Sequence, residues 1–265
     1  RRKELEKIAE TCRWVPAKPP RNFHEAVQFI RFTQLALSIE TYDGQAISMG
    51  RMDQYLYPYY KKDVQAGILD REKATELIES LWIKINELVP LFDSMVEMYF
   101  GGLLNTQAVT LGGMNKDGKD ATNDLTYIIL EATKRAALPL PNVHIRVHRK
   151  SPPKLLKNLA KTIASRTNNI ATFDDEVIIS SLTRKNIPLE EARNYSTVGC
   201  VELAPFGTSF TSSDAALFNI AICLELALNN GESVMLGQKI GPETGNPSKF
   251  KSIEDVTEAF RKQVS

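Results

Sequence analysis

Cysteine and histidine are scarce in this chain, with three of each in 265 residues. Cys12, Cys200 and Cys223 lie far apart and are odd in number, so a disulfide framework is not expected. This use of cysteine favours a reducing compartment, and we predict a cytoplasmic protein. The first residues, RRKELEK, are amphipathic rather than apolar, so the sequence predicts no secretory signal.

An excess of charge and a long hydrophobic run are also lacking. Lysine and arginine number 33 against 32 acidic residues, for a net charge of +1, so neither nucleic acid nor an anionic membrane is expected as partner. The longest apolar stretch, Ala215–Leu228, is interrupted by Asn219 and Glu225 and is too short to span a bilayer. The length is sufficient for one large domain with a substantial core.

The two ends of the sequence predict a piece of a longer protein. The chain does not begin with methionine, and its last residues, SIEDVTEAFRKQVS, follow the pattern of an amphipathic helix. We therefore expect residues 1–265 to form part of one domain.

Local signals predict alternating helices and short strands. Asn22 followed by Glu25 is the pattern of a capping box, and Asp70 precedes a long amphipathic segment as its N-cap. Helices are predicted at residues 1–12, 22–40, 52–67 with a break at Pro58, 71–88, 124–137, 152–166 and 215–230, and β-rich runs at 106–113, 142–148 and 194–202. Strands separated by long helices indicate an α/β fold with parallel pairing, whose chemistry is expected at strand ends.

One segment, NYSTVGCVELAPFG at Asn194–Gly207, places a thiol two residues before a carboxylate. In an extended segment, Cys200 and Glu202 would face the same side, about 6–7 Å apart, with Val201 turned away. The structural alternative is a small buried cysteine followed by a carboxylate at a strand end. A cysteine hydrolase is disfavoured, because no histidine has a sequence context that marks it as the base and a nearby carboxylate disfavours the thiolate. The pair suits a thiol that handles a hydrogen atom and a carboxylate that handles a proton.

The motif GCVE resembles the active-site loop of glycyl radical enzymes, in the branch of dehydratases and related lyases. Further stretches resemble the same family, in the same order, along most of the chain. They are FHEAVQFIRFTQLALSIE (Phe23–Glu40), GRMDQYLYPYY (Gly50–Tyr60), QAVTLGG and DATNDLTYIILEA (both within Gln107–Ala132), LPNVHIRVH, and FDDEVIISSL (Phe173–Leu182), where Asp174 replaces the family's usual asparagine.

This resemblance implies an α/β fold, a fragment of the glycyl radical enzyme barrel with two parallel half-sheets surrounded by helices and the cysteine loop in the centre. It implies that Cys200 becomes a transient thiyl radical and takes a hydrogen atom from a small-molecule substrate, while Glu202 acts as general base. The full-length protein would use an organic glycyl radical, installed by a radical S-adenosylmethionine iron–sulfur activating enzyme. It would be an oxygen-sensitive homodimer of anaerobic metabolism.

The resemblance also concerns the glycine that carries the radical. In this family it lies near the C terminus within an arginine-valine-x-glycine-tyrosine-like motif, which has no counterpart in this sequence. We therefore expect residues 1–265 to be a partial catalytic barrel that contains no radical glycine and binds no cofactor itself.

Differences from family motifs narrow the expected chemistry. Val201 stands where pyruvate formate-lyase carries a second cysteine, so acyl transfer from a 2-oxoacid is disfavoured. Asp214 aligns with the aspartate that binds a substrate hydroxyl in glycerol-type dehydratases, or serves as an acidic residue in the first turn of a helix. Gln45 and Ala46 replace a histidine and a serine that hold substrate oxygens in those enzymes. The implied substrate pocket has fewer hydroxyl partners and a more apolar lining.

The predicted function is a lyase that cleaves a C–O, C–N or C–S bond next to a hydroxyl-bearing carbon. Two alternatives stay open. One is an arylacetate-type decarboxylase of the same family, and the other is a non-catalytic barrel relative that acts as a binding module. The presence of both Cys200 and Glu202 argues against the second.

Two further groups of polar residues are interpreted as structural. The HIRVH segment places His144, Arg146 and His148 on one face of a strand, but no third protein ligand is apparent. A salt bridge on the sheet face is therefore favoured over a metal or anion site, and no metal site is predicted. Arg51 and Asp53 are interpreted as structural partners at a helix start.

Overall fold

A computed structural model describes residues 1–40, 46–88, 94, 98, 106–165, 170–209 and 218–265. The chain divides into two compact units, residues 1–211 and residues 212–265. The first unit contains α1 (Arg2–Trp14), α2 (Phe23–Glu40), β1 (Ala46–Ser48), α3 (Met52–Tyr55), α4 (Tyr57–Gln65), α5 (Arg71–Asn86), β2 (Thr106–Gly112), α6 (Asp124–Ala136), β3 (Asn142–Val147), α7 (Pro153–Ala164), β4 (Ile170–Asp174), α8 (Asp175–Arg184), α9 (Leu189–Arg193), β5 (Tyr195–Val198) and β6 (Glu202–Pro205). The second contains α10 (Ile220–Leu228), β7 (Glu232–Ser233), β8 (Gln238–Lys239), a 3-10 turn (Pro247–Lys249) and α11 (Ile253–Val264).

A four-stranded parallel sheet organises the first unit. Its strands lie in the order β1-β2-β3-β4, with Val109 of β2 paired to Val143 of β3 and Ile145 of β3 paired to Thr172 of β4. The predicted α/β fold with parallel strands is therefore confirmed. The strands β1 and β4 were not predicted, because three- and five-residue strands give too short a pattern to recognise.

The two faces of β3 have different chemistry. Val143 and Ile145 are fully buried in the main hydrophobic core, which α5 and α6 complete with residues such as Trp82 and Ile128. The alternate residues Asn142, His144 and Arg146 point to the other face and are also buried. Burial of both faces is usual for a parallel sheet, but here one of the two faces is polar.

Most helix boundaries agree with the predicted ones to within a few residues. The Asp70 carboxylate caps α5 by accepting from the amide of Lys73 at 2.7 Å, as predicted. The Asn22 side chain caps α2 by accepting from the amide of Glu25 at 2.9 Å. The Glu25 carboxylate accepts from the amide of Arg21 instead of closing the predicted box.

One predicted helix breaks at a different residue in the structure. The helix expected to break at Pro58 breaks at Leu56, and Pro58 lies in the first turn of α4, where its missing amide is tolerated.

Within the described residues, none of the helices combines the length and the hydropathy that crossing a bilayer requires.

The second unit pairs α10 with α11 beside the two-stranded β7–β8 ribbon. The helix predicted from residue 215 to residue 230 extends from Ile220 to Leu228, because Asn219 caps it by accepting from the amide of Ile222 at 3.1 Å. The predicted start at residues 213–214 lies outside the described residues.

Candidate active site

The GCVE segment forms the tip of a β-hairpin. β5 and β6 pair antiparallel, and Val198 faces Glu202, so Gly199, Cys200 and Val201 form a three-residue loop. Gly199 has φ +56°, a left-handed conformation that favours glycine and that starts the turn. The prediction of one extended strand through Cys200 and Glu202 is therefore wrong. Cys200 does lie just beyond the end of a strand, as expected.

The tip is more exposed than its apolar sequence predicts. Cys200 is exposed, Val201 is 56% exposed, and Glu202 is half-buried. The reading of Cys200 as a buried core residue is therefore wrong. One oxygen of the Glu202 carboxylate, Oε2, accepts a hydrogen bond from the amide of Val201 at 2.9 Å. The hairpin thus brings the thiol and the carboxylate together across a turn, and the loop backbone holds the carboxylate.

The polar face of β3 binds β5 and the first residue of the hairpin loop at every second position. Asn142 Nδ2 donates to the carbonyl of Gly199 at 3.4 Å, His144 Nδ1 hydrogen-bonds to Thr197 Oγ1, and Arg146 Nη1 donates to the carbonyl of Tyr195 at 2.9 Å. The residue numbers run in opposite directions along the two strands, so each step of two along β3 meets a step of two along β5. These contacts fix the register of the hairpin against the sheet.

Thr197 is also held by the two neighbouring strands of the sheet. Its amide donates to Thr110 Oγ1 of β2 at 3.0 Å, and the two hydroxyl oxygens lie 2.9 Å apart. The hydroxyl of Ser48, at the end of β1, donates to the carbonyl of Thr197. Three parallel strands therefore contribute a polar side chain to one residue of the hairpin.

His144 is a buried histidine next to the loop. It is 2% exposed, and its ring packs edge-on against Phe173 at a centroid distance of 5.2 Å. Burial lowers the pKa of His144 to about 4, although the charge of Glu202 and a hydrogen bond to the backbone of Cys200 act in the opposite direction. His144 is therefore a neutral imidazole at neutral pH. Sequence reasoning identified the face of β3 that carries His144, but not that this face contacts Cys200.

A buried ion pair supports the base of the hairpin. The Arg146 guanidinium binds the Asp175 carboxylate through two hydrogen bonds, Nε to Oδ1 at 2.8 Å and Nη2 to Oδ2 at 3.0 Å, and both side chains are fully buried. The Tyr195 hydroxyl donates to Asp175 Oδ1 at 2.8 Å, and its ring lies 3.9 Å from the guanidinium carbon. The predicted salt bridge on this sheet face is confirmed.

Arg51 and Asp53 have structural roles, as interpreted from the sequence. Arg51 Nη2 donates to the carbonyl of Gly112 at 2.9 Å, and Asp53 Oδ2 accepts from the amide of Gly112 at 2.8 Å. Burial lowers the pKa of Arg51 to about 10, with a smaller contribution in the same direction from the nearby Arg146. Burial raises the pKa of Asp53. Together the two side chains fix the end of β2.

The structure describes only one of the three predicted substrate-binding residues. Ala46 is exposed and begins β1, whereas Gln45 and Asp214 lie outside the described residues. An apolar cavity of about 440 Å³ lies between α2 and β1, but neither Cys200 nor Glu202 lines it.

His148 binds Asp120 at 3.1 Å, away from the contacts of His144. Among the described side chains, no three His, Cys, Asp or Glu residues lie close enough to hold a metal ion.

The whole chain, residues 1–265, matches the family described as Pyruvate formate lyase-like, and the chain belongs to this family. A solved structure of a glycyl radical enzyme from Archaeoglobus fulgidus is 52% identical, with a TM-score of 0.93, over 99% of this chain and 34% of that chain. This likeness confirms the fold expected from the sequence and the resemblance to glycyl radical enzymes.

Two curated relatives are a lyase and a dehydratase. Isethionate sulfite-lyase of Oleidesulfovibrio alaskensis is 38% identical over 262 residues, which are 98% of this chain and 32% of the relative. Trans-4-hydroxy-L-proline dehydratase of Clostridioides difficile is 36% identical over 271 residues, which are 100% of this chain and 34% of the relative. The chain therefore spans about a third of the length of these relatives.

Proposed function

We propose that this chain is the cysteine-loop part of a glycyl radical lyase, a longer enzyme that cleaves a bond next to a hydroxyl-bearing carbon. The observation that carries the proposal is the hairpin tip, where an exposed Cys200 is followed two residues later by Glu202. An exposed thiol at the end of a rigidly held hairpin is accessible both to a substrate and to a radical donor from another part of the protein. A non-catalytic module would not need this arrangement.

The residues of the tip divide the reaction between them. The glycyl radical of the longer protein would take the thiol hydrogen atom of Cys200, which leaves Cys200 as a thiyl radical. The Cys200 sulfur takes a hydrogen atom from the hydroxyl-bearing carbon, and the Glu202 carboxylate takes the hydroxyl proton. The leaving group on the neighbouring carbon departs with its bonding electron pair, and the resulting carbonyl-stabilised carbon radical takes the hydrogen atom back from Cys200. A well-placed general base of this kind contributes about 10²–10⁴-fold in rate.

The substrate class is proposed from the family motifs in the sequence. Val201 offers no second thiol, so acyl transfer is not part of the proposal. By the family resemblance, Asp214 would bind a substrate hydroxyl, and Gln45 and Ala46 stand where a histidine and a serine hold substrate oxygens in glycerol-type dehydratases. Ala46 has no polar group where those enzymes carry a serine hydroxyl, which favours a substrate less polar than glycerol or one whose leaving group is not a hydroxyl.

The proposal includes partners outside this chain. A radical S-adenosylmethionine activating enzyme would generate the glycyl radical, and the protein would work without oxygen, as a homodimer in the cytoplasm. These expectations come from the family and not from contacts of the described residues.

The roles at the tip are tested by Cys200→Ala and Glu202→Gln in the full-length protein. Both variants are expected to lose turnover of hydroxylated substrates while they form the glycyl radical in the same yield as the wild type. Glu202→Gln keeps the size of the side chain and can still accept from the amide of Val201, so a loss of rate reports the missing base. Activity is measured by product formation, and the radical by electron paramagnetic resonance. Near wild-type activity of Glu202→Gln would show that Glu202 is not the base.

A further inference from the structure

Side chains of the parallel sheet bind the edge of β5 that is not paired with β6. In an antiparallel pair, every second residue turns its amide and carbonyl away from the partner strand. Along this edge three carbonyls, in steps of two, each accept from one sheet side chain: Tyr195 from Arg146 Nη1 at 2.9 Å, Thr197 from the Ser48 hydroxyl, and Gly199 from Asn142 Nδ2 at 3.4 Å. Side chains therefore take the place that another strand would have at this edge.

Thr197 is anchored at both of its backbone groups. Its carbonyl accepts from Ser48, and its amide donates to Thr110 Oγ1 at 3.0 Å. Its side chain is held as well, because Thr197 Oγ1 lies 2.9 Å from Thr110 Oγ1 and hydrogen-bonds to His144 Nδ1. The hairpin is thus fixed to three strands at a point three residues before the thiol.

The chain between Thr197 and the thiol has more freedom. Gly199 adopts φ +56°, and a glycine has no side chain to restrict rotation of the peptide that follows it. That peptide is planar, so the Gly199 carbonyl and the amide and Cα of Cys200 move together. A side chain that holds the Gly199 carbonyl therefore sets the position and the direction from which the Cys200 side chain starts.

From this geometry we propose that Asn142 is a positioning residue, whose amide group holds the Gly199–Cys200 peptide so that the thiol meets the substrate in the reactive geometry. The inference rests on the proposed function of Cys200. Asn142 is 6% exposed, and among the described residues its Oδ1 has no hydrogen-bond partner. An unpaired buried acceptor lowers stability, and an apolar residue of the same size would avoid this cost. The bond from Nδ2 to the hairpin accounts for an amide at this position.

Two substitutions of nearly unchanged size separate positioning from stability. Asn142→Leu breaks the bond to Gly199 but also removes the unpaired Oδ1, and these two changes act on stability in opposite directions. Thr110→Val breaks the contacts of Thr110 with the amide and the hydroxyl of Thr197, so it is expected to lower the free energy of unfolding more. Thr197 keeps its bonds to Ser48 and His144 in that variant.

A matched control removes the same kind of bond far from the hairpin. Asn123 Nδ2 donates to the carbonyl of Asp53 at 2.9 Å, while Asn123 Oδ1 caps α6. Asn123→Asp loses the bond to the carbonyl and keeps the cap, because aspartate is an equally good N-cap residue.

The experiment measures kinetics of these variants in the full-length protein after activation. A misplacement of about 1 Å at a reacting centre can reduce the rate about 100-fold, so Asn142→Leu should lose kcat about 100-fold with KM unchanged. Thr110→Val should lose less than about tenfold, and Asn123→Asp should stay within about threefold of wild type. Radical yield, measured by electron paramagnetic resonance, should be equal in all four proteins. If kcat instead follows stability, so that Thr110→Val is at least as defective as Asn142→Leu, the proposal is overturned.

A second readout does not depend on turnover. Hydrogen–deuterium exchange of the unactivated proteins, resolved to single amides, should become faster at residues 199–202 in Asn142→Leu and at Thr197 in Thr110→Val. Unchanged exchange at residues 199–202 in Asn142→Leu would overturn the role of Asn142. If exchange changes as expected but wild-type protein with an intact glycyl radical converts no hydroxylated substrate, the proposed function fails while the contact stands.

Discussion

At His144, burial and a neighbouring carboxylate act on one pKa in opposite directions. Burial is the larger effect and lowers this pKa to about 4, while Glu202 and the Cys200 backbone favour the charged ring. The ordinary pKa of histidine is about 6.5, so an unfolded chain binds a proton at His144 in a pH range where the folded protein does not. Stability therefore depends on pH through this one side chain.

The sign of this dependence gives a prediction. The contribution of His144 to stability is fully present above pH 6.5 and is lost as the pH falls towards 4, because protons then favour the unfolded state. Between pH 7.5 and pH 5, wild-type protein should lose about 2 kcal/mol more unfolding free energy than His144→Gln. Urea unfolding followed by circular dichroism at the two pH values measures the difference. Equal losses in the two proteins would show that His144 is not held in the neutral form.

Among the structural elements, the hairpin β5–β6 depends on the buried pair of Arg146 and Asp175. The pair does more than neutralise charge, because Arg146 binds the carbonyls of Tyr195 and Arg193, at the start of the hairpin. Asp175 also accepts from the amide of Met114 at 2.6 Å. The ion pair therefore joins β3, the start of α8 and the base of the hairpin.

Asp175→Asn tests this role. It leaves the Arg146 guanidinium buried without a counter-charge, and breaking a buried pair in this way typically costs about 3–5 kcal/mol. Asp174→Asn is the control on the adjacent residue, since the Asp174 carboxylate caps α8 and asparagine caps equally well. Urea unfolding of the two variants should show a large loss for the first and little change for the second. A small loss for Asp175→Asn would mean that water or another group compensates Arg146.

The sequence predicted most elements with long local patterns and missed short strands, such as β1 and β4, and features set by distant contacts. The caps at Asn22 and Asp70 depend on neighbouring residues and were predicted, as were the parallel strands β2 and β3. The hairpin was read as one strand because its β-branched residues are typical of strands, while the turn depends on the backbone conformation of Gly199. The contacts of His144 depend on what packs against β3, which no local pattern contains.

On the scale of the whole molecule, the chain spans about a third of the length of its relatives. None of its 14 glycines occurs in an arginine-valine-x-glycine-tyrosine-like motif. Gly112 ends β2 and Gly113 follows it, both at positive φ, and a Cβ on Gly113 would lie 2.5 Å from Arg146 Nε. The missing side chain of Gly113 allows Arg146 to pack closely against the backbone. The sequence around these glycines gives no sign that either of them stores an unpaired electron.

We therefore expect residues 1–265 alone to form no glycyl radical. The chain is incubated without oxygen with a radical S-adenosylmethionine activating enzyme, its cofactor and a reductant, and examined by electron paramagnetic resonance. A longer protein that includes the C-terminal motif serves as positive control in the same reaction. A doublet with α-hydrogen splitting from the 265-residue chain would reveal a radical glycine within this sequence.

The two-residue steps by which β3 binds β5 have a consequence for redesigning the enzyme. Adding one residue between Tyr195 and Cys200 would advance the thiol by about 3.3 Å and turn the following side chains to the opposite face. Thr197 would then no longer face His144. The start of the hairpin, which Arg146 holds at Tyr195, would be out of register with the loop. Under the proposed function, selectivity for a new substrate is therefore best sought by substitutions that keep the hairpin length, because insertions and deletions there would displace the Cys200 sulfur.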